Sequence, residues 1–297
     1  MFSRRHPYLF FILVNTSIMC GTLILISFMV TVSVSTPEYG EKVGIIEIDG
    51  MITDALPIID DLKYFRRNDQ VKAILVRINS PGGGVAPSQE IFREINKSKH
   101  EKPIVVSMGT VAASGGYYIA SAANGIVANT GTITGSIGVI MGFTNFEALF
   151  QKIGLQTSVI KSGDFKDMGS PTRPMTPEEE SFLQTFVTEI HEQFINDVSQ
   201  GRNLPVDKIR SVADGRIFTG EQAKKLGLID RIGNYDDAVQ WAGRLGGIQG
   251  EISTMHPPKP PLGLIEEFIH NEIHSWISKV SAYKENLSIG YLCPYTD

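Results

Sequence analysis

Three short stretches carry the residues that could do chemistry. VAASGGYYIA, residues 111–120, sets Ser114 before two glycines. Such a serine is either a nucleophile presented on a tight turn or the cap of a buried helix. RINSPGGGV, residues 77–85, ends an apolar run with a proline and three glycines. Glycines there let backbone N–H groups turn toward a ligand, and two such donors make an oxyanion hole for acyl transfer. The alternative is a plain strand-to-helix turn. KSGDFKDMGSP, residues 161–171, supplies Lys161 and Lys166.

The base that would serve Ser114 is not a histidine. The six histidines are His6, His100, His191, His256, His270 and His274, and none stands at a strand end beside a glycine turn. His191 is expected on the surface of a helix. HNEIH, residues 270–274, has its glutamate at the third position rather than the second, so it lacks the zinc-protease spacing. A GxSxG elbow is absent because Ala112 occupies the first glycine position. GTITGSIG, residues 131–138, does not have dinucleotide-loop spacing, and no GxxxxGK[ST] phosphate loop occurs. Lysine can replace histidine when burial disfavours its ammonium form and leaves an amine able to take the serine proton. Lys166, after Phe165 and just past an expected strand and glycine turn, is the candidate base. Cys20 and Cys293 form no metal or disulfide pattern, and no cofactor or metal is expected.

The elements that must position these residues alternate. Apolar runs at 43–50, 71–80, 103–110, 125–131 and 156–163 read as mostly buried strands. Helical periodicity runs over 52–67 and 86–97 between them. This alternation implies an α/β domain with largely parallel pairing. A long helix is expected from Pro177, capped by Thr176 with Glu179 closing a capping box, and Phe182, Phe186, Ile190 and Phe194 share one apolar face. Further helices are expected from Thr219, with Gln222 at its third position, and near Tyr235.

The chain has 297 residues and a net charge of −5, with no basic arm, which argues against a nucleic-acid binder. Residues 8–34 carry no charge and exceed the roughly 20 residues needed to span a bilayer. Arg4 and Arg5 precede this run, while Glu38, Glu41 and Lys42 follow it. The expected layout is a signal anchor with a cytoplasmic N-terminus, although Ser33-Val34-Ser35 has the form of a cleavage site. Three regions are expected: 1–35 as N-terminus and anchor, 36–250 as the α/β domain, and 251–297 as a Pro-rich linker followed by an amphipathic helix over 262–280.

In joint order and spacing, RINSPGGGV, VAASGGYYIA, GTITGSIGV and SGDFKDMGSP resemble the signal peptide peptidase A (protease IV) family of membrane-bound bacterial serine proteases, in its short single-domain form. The resemblance covers residues 43–245. It implies a Clp protease/crotonase-like fold of repeated ββα units and a Ser/Lys dyad. Matched position by position, it implies Ser114 as nucleophile, Lys166 as general base, and Ser136 as the serine that orients the lysine. The backbone N–H groups of Gly83 and Gly115 match the oxyanion hole, with Gly82 as the alternative to Gly83. It further implies signal peptides and similar apolar peptides as substrates, a ring-like homo-oligomer, both dyad members in one chain, and a catalytic domain on the outer face of the cytoplasmic membrane. Residues 55–65 and 140–150 are the expected walls of an apolar cleft. A non-catalytic anchored scaffold of the same fold is the alternative, and an acyl-CoA enzyme is a third reading of the fold.

Overall fold

The computed structural model describes residues 6–33, 40–258 and 289–292. The expected C-terminal helix over 262–280, His270, His274, Cys293, Arg4 and Arg5 lie outside the described residues. The chain forms two compact units, residues 1–40 and 41–297.

The first unit is helix α1 (Pro7–Ser33). Its stretch Pro7–Leu25, with mean hydropathy 2.0, is long and apolar enough to cross a membrane. Its polar side chains bond back to their own helix. Asn15 Nδ2 donates to Phe11 O at 2.8 Å and Thr22 Oγ1 to Ile18 O at 3.0 Å. Each such bond satisfies a donor that hydrocarbon could not.

The second unit is built on a mostly parallel sheet. Its strands are β1 (Lys42–Asp49), β2 (Val71–Ser80), β4 (Ile104–Ala113), β5 (Gly125–Ala128), β9 (Arg231–Ile232) and β10 (Ser253–Met255), in the order β10-β1-β2-β4-β5-β9. Every neighbouring pair on that path is parallel. Strand β6 (Ile133–Gly135) adds to the far end of β4, and β8 (Ile217–Thr219) pairs with β6 antiparallel. A separate small sheet has the order β3-β11-β7, from β3 (Gly82–Gly84), β7 (Ile140–Met141) and β11 (Ile289–Leu292).

Parallel sheets need cover on both faces, and the burial of β2 as nearly all apolar reflects that. One face packs against α2 (Leu56–Arg67), α3 (Val85–Ser98), α4 (Gly115–Ser121) and α6 (Pro177–Arg202) through Leu62, Phe65, Ile91, Ile95, Ile119 and Phe194. The other face packs Val43, Ile45, Leu75 and Val105 against Ala238, Val239 and Ala242 of α9 (Tyr235–Leu245). Helices α5 (Glu147–Lys152), α7 (Val206–Arg210) and α8 (Gly220–Leu226) complete the unit.

Capping chemistry decides several boundaries. Thr176 and Glu179 form the capping box of α6, and Thr219 and Gln222 that of α8. Helix α2 begins at Leu56 rather than 52. Asp54 Oδ1 accepts the Leu56 N–H at 3.0 Å, and Ile52 instead bridges to Gly83. The strand expected over 156–163 does not form. Val159 and Ile160 lie in exposed, irregular chain, and Ile160 is fully exposed. A β-branched run becomes a strand only beside a partner, and none pairs with it. The expected apolar face of α6 is buried only in its second half, where Ile190 and Phe194 reach the core. Phe182 and Phe186 remain exposed.

Candidate active site

Ser114 follows the last residue of β4 and precedes α4. Its φ of 52° and ψ of −117° belong to a region that L-residues rarely enter, and holding a non-glycine residue there costs on the order of 1–3 kcal/mol. Two backbone bonds hold it: the Ser114 N–H donates to Gly135 O at 2.8 Å, and Ser114 O accepts the Tyr118 N–H at 2.8 Å. The side chain makes no capping bond, although the residue occupies the N-cap position. Ser114 is fully buried and its Oγ has no hydrogen-bond partner. A buried hydroxyl without a partner costs about 1–3 kcal/mol. Strain and an unmet hydroxyl thus fall on the same residue.

Strand register brings Ser136 beside it. Ala113 of β4 pairs with Gly135 of β6, so the next residue of each strand, Ser114 and Ser136, leaves the sheet at the same level. Ser136 also has positive φ, 50°, and its N–H donates to Arg216 O at 2.8 Å. Gly135, φ 80°, must be glycine: a Cβ would lie 2.5 Å from the Phe218 ring.

Strand β2 delivers the glycines. Ser80 pairs with Ala112, two residues before Ser114. Within β3 the three N–H groups have different fates. Gly82 N–H donates to Ser80 Oγ at 3.1 Å and Gly84 N–H to Ile52 O at 2.8 Å. Because alternate residues of a strand point their backbone groups to opposite edges, the N–H of Gly83 faces away from Ile52. This separates Gly83 from Gly82, whose N–H is already engaged. Gly83 cannot carry a side chain, since a Cβ would sit 2.2 Å from Ile52 O. Gly115 is the first residue of α4, where N–H groups have no partner within the helix.

Tyr117 and Tyr118, which follow, serve packing. Tyr117 Oη donates to Leu228 O at 3.0 Å, and burial pushes its phenol up. Tyr118 bonds to Asp197 and stacks between Phe92 and Phe194, with ring centroids 4.8 and 4.9 Å away.

Lys166 is not gathered with these groups. It lies on a 3-10 turn, Asp164–Asp167, with its side chain exposed, and no residue from 138 to 178 is buried. The turn is tied to α6 by ion pairs that the sequence reading missed. Arg173 Nη2 lies 2.9 Å from Asp167 Oδ1, and its Nη1 donates to Glu179 Oε2 at 2.9 Å. Lys161 Nζ lies 2.8 Å from Asp167 Oδ1. Hydrogen bonds from Arg173 and Lys161 hold the Asp167 carboxyl below the usual range, and Arg173 with the Thr176 N–H holds Glu179 at about 2. The signal available in sequence was the acid–base spacing of Asp167, Arg173 and Glu179. The capping box of Thr176 and Glu179 accounts for Glu179 alone and does not reveal the pairing of Asp167 with Arg173.

Beside Ser136 lies a cavity of about 320 Å³, lined by Val139, Ile140, Thr188, His191 and Asp214 among others. His191 was expected on the helix surface. Instead its Nε2 is buried there without a partner.

A strained, buried serine without a side-chain partner thus stands at a strand-to-helix junction on an α/β sheet, beside a strand of three glycines. The model of the Clp protease family matches residues 41–133 and that of peptidase family S49 matches residues 96–249. The chain belongs to peptidase family S49, and it is a serine peptidase. It is 45% identical over 231 residues to a candidate protease of Synechocystis sp., covering 74% of this chain and 81% of that one. It is 41% identical to a candidate signal peptide peptidase SppA of Enterococcus faecium, covering 73% of this chain and 63% of that one. With Protease 4 of Salmonella typhi the identity is 35%, covering 73% of this chain but 37% of the longer relative.

Proposed function

We propose that the protein is a membrane-anchored serine endopeptidase with a Ser114/Lys166 dyad. The observation that carries the reading is Ser114: strained, buried and unpartnered at the end of β4, where α4 opens at Gly115. Ser114 Oγ attacks a peptide carbonyl while its proton passes to the neutral Lys166 amine. The oxyanion is met by the Gly83 and Gly115 N–H groups. Lys166 then returns the proton to the leaving amine, and water hydrolyses the resulting ester. Ser136 orients the lysine. No cofactor enters this sequence.

The lysine must be dry to be neutral at physiological pH. In a single chain it is exposed, next to Phe165, whose ring lies 5.6 Å from that of Phe182, and both rings are open to water. Such a patch favours association. A homo-oligomer that covers it would bury Lys166 against an active site, its own or a neighbour's. Helix α1 anchors the assembly, and extended apolar peptides, signal peptides among them, are the substrate class. The basic residues ahead of α1 support a catalytic unit outside the cytoplasm.

Ser114→Ala and Lys166→Ala should each abolish peptide hydrolysis without changing circular dichroism, and Ser114→Ala, which removes an unmet buried hydroxyl, should not lower Tm. Full activity in Lys166→Ala would refute the dyad. Mixing the two inactive variants and recovering activity would place Lys166 on the neighbouring copy. No recovery, with the oligomer intact, would place both groups in one chain.

A further inference from the structure

Helix α6 lines the cavity beside Ser136 with three polar side chains. Gln184, Thr188 and His191 are spaced four and three residues apart, so they share one face of the helix. Ser136 and Asp214 face the same space of about 320 Å³.

Most of these groups are already engaged. Thr188 Oγ1 donates to Gln184 O at 2.7 Å, and Gln184 Nε2 donates to Thr188 Oγ1 at 3.4 Å. Asp214 accepts from Arg216 Nε at 2.7 Å. Its loop is tied to the end of β6, where the Gly215 N–H donates to Ile137 O at 3.2 Å. Glu192, next along α6, accepts from Arg210 Nη2 at 2.8 Å. His191 differs from all of them, because its Nε2 is buried with no partner. Among the described residues that line the cavity there is no lysine and no arginine. The lining therefore offers acceptors to whatever enters, and a primary amine is the donor that suits it.

Counting hydrogens shows why a second acceptor matters beside Ser136. A neutral lysine amine has one lone pair and two N–H donors. A general base must aim the lone pair at the Ser114 hydroxyl, so both N–H groups point elsewhere and each needs an acceptor. Ser136 Oγ supplies one. With the other N–H unmet, the amine is free to rotate its lone pair away from Ser114.

We infer that His191 Nε2 is the second acceptor, a positioning residue that acts with Ser136 to hold the Lys166 amine with its lone pair on Ser114. The inference rests on the dyad reading and goes beyond it by naming the group that fixes the rotation of the amine. The ring carries its proton on Nδ1, which leaves Nε2 as an acceptor. No bond forms or breaks at His191. The proton still passes from Ser114 Oγ to Lys166 Nζ, and the ammonium so formed has its third N–H on Ser114 Oγ.

The test measures peptide hydrolysis by the full chain with His191 replaced by Gln, Asn or Phe, beside Lys166→Ala. A glutamine amide reaches the position of Nε2, an asparagine amide reaches only that of Nδ1, and phenylalanine keeps a ring without nitrogen. His191→Asn and His191→Phe should each lower kcat roughly ten-fold, the scale of one hydrogen bond, with KM unchanged. His191→Gln should restore most of that loss. In the Asn and Phe variants the acid limb of kcat/KM should also move to lower pH, because an ammonium with one acceptor fewer gives up its proton more readily. A residue that only packs would lower Tm and kcat together and leave the limb in place. Full kcat in both His191→Asn and His191→Phe overturns the inference and leaves Nε2 to an ordered water. Equal losses in His191→Gln and His191→Asn overturn it too, as does a fall in kcat with an unmoved limb. Should His191→Phe fail to fold, the Gln and Asn pair decides. Full activity in Lys166→Ala is a different failure, since it removes the dyad on which the inference rests.

Discussion

Strands β2, β4 and β6 enclose Ser114 in side chains withdrawn from water, whereas the stretch that carries Lys166 has no buried residue from 138 to 178. On the serine side, every position is set by register. Ser80 pairs with Ala112, Ala113 with Gly135, and the glycine strand is pinned to Ile52. On the lysine side, one ion network, Lys161–Asp167–Arg173–Glu179, holds a 3-10 turn to the start of α6. The proposed nucleophile and oxyanion donors are thus held by the core of a single chain. The proposed base is a surface group whose environment depends on what comes to cover it. Substitutions on the two sides should therefore fail differently: one that disturbs the backbone packing of the serine side, such as Gly83→Ala, should cost activity and stability together, whereas one on the lysine side should cost activity alone.

Gly83→Ala gives the largest combined effect. The added Cβ meets Ile52 O, so β3 must shift. Because one oxyanion donor is worth about 10²–10³ in kcat, kcat should fall by about that factor, with a lowered Tm seen by calorimetry. Unchanged kcat would remove Gly83 from the oxyanion hole. Ser136→Ala should come next, with a loss of about 10–100-fold in kcat, smaller than the 10²–10⁴ assigned to the acid–base step itself. Its pH–rate profile should shift while Tm holds if Ser136 acts through the lysine, as proposed. Arg173→Met lies on the lysine side. It should lower activity by roughly 3–10-fold, on the scale of losing a partly exposed ion pair. Limited proteolysis should show faster nicking within residues 161–176, with the thermal transition of the core unmoved. A core transition that falls together with activity would break the comparison.

The smallest effect is that of acid. Glu179, held at about 2, and Asp167, held below its ordinary value, both have folded pKa values under their unfolded ones. Their contribution is complete above the unfolded carboxylate range, about 4.5 for a glutamate, and is lost as pH falls toward 2. Nicking of the 161–176 stretch should rise through that window before tryptophan fluorescence reports unfolding of the core.

The serine side was largely legible in sequence. The Val/Ile runs of β1, β2 and β4 are continuous because both faces of a parallel sheet are covered, and the capping residues Thr176 and Thr219 announce α6 and α8. The glycines around Ser114 could be read because turns with few steric solutions leave few residue choices. The lysine side was not, since the 156–163 run has strand composition but no partner, and pairing is not a local property. The positive φ of Ser136 and the buried Nε2 of His191 depend on neighbours distant in sequence, Arg216 for the first and the β6–β8 region for the second. The seat of Ile289–Leu292 between β3 and β7 joins Gly290 to Gly84 and to Ile140, residues far apart in sequence and beyond the reach of any periodicity.

The central claim, that Ser114 is an activated nucleophile whose activation depends on Lys166, is tested most directly by labelling. A serine-directed fluorophosphonate is incubated with the full chain and with Lys166→Ala, and adducts are mapped by mass spectrometry of peptides. The account predicts one adduct, on Ser114, in the unaltered protein, and its loss in Lys166→Ala with the fold intact. Labelling of Ser114 at the same rate in both proteins, or no label on Ser114 in an active preparation, would contradict it.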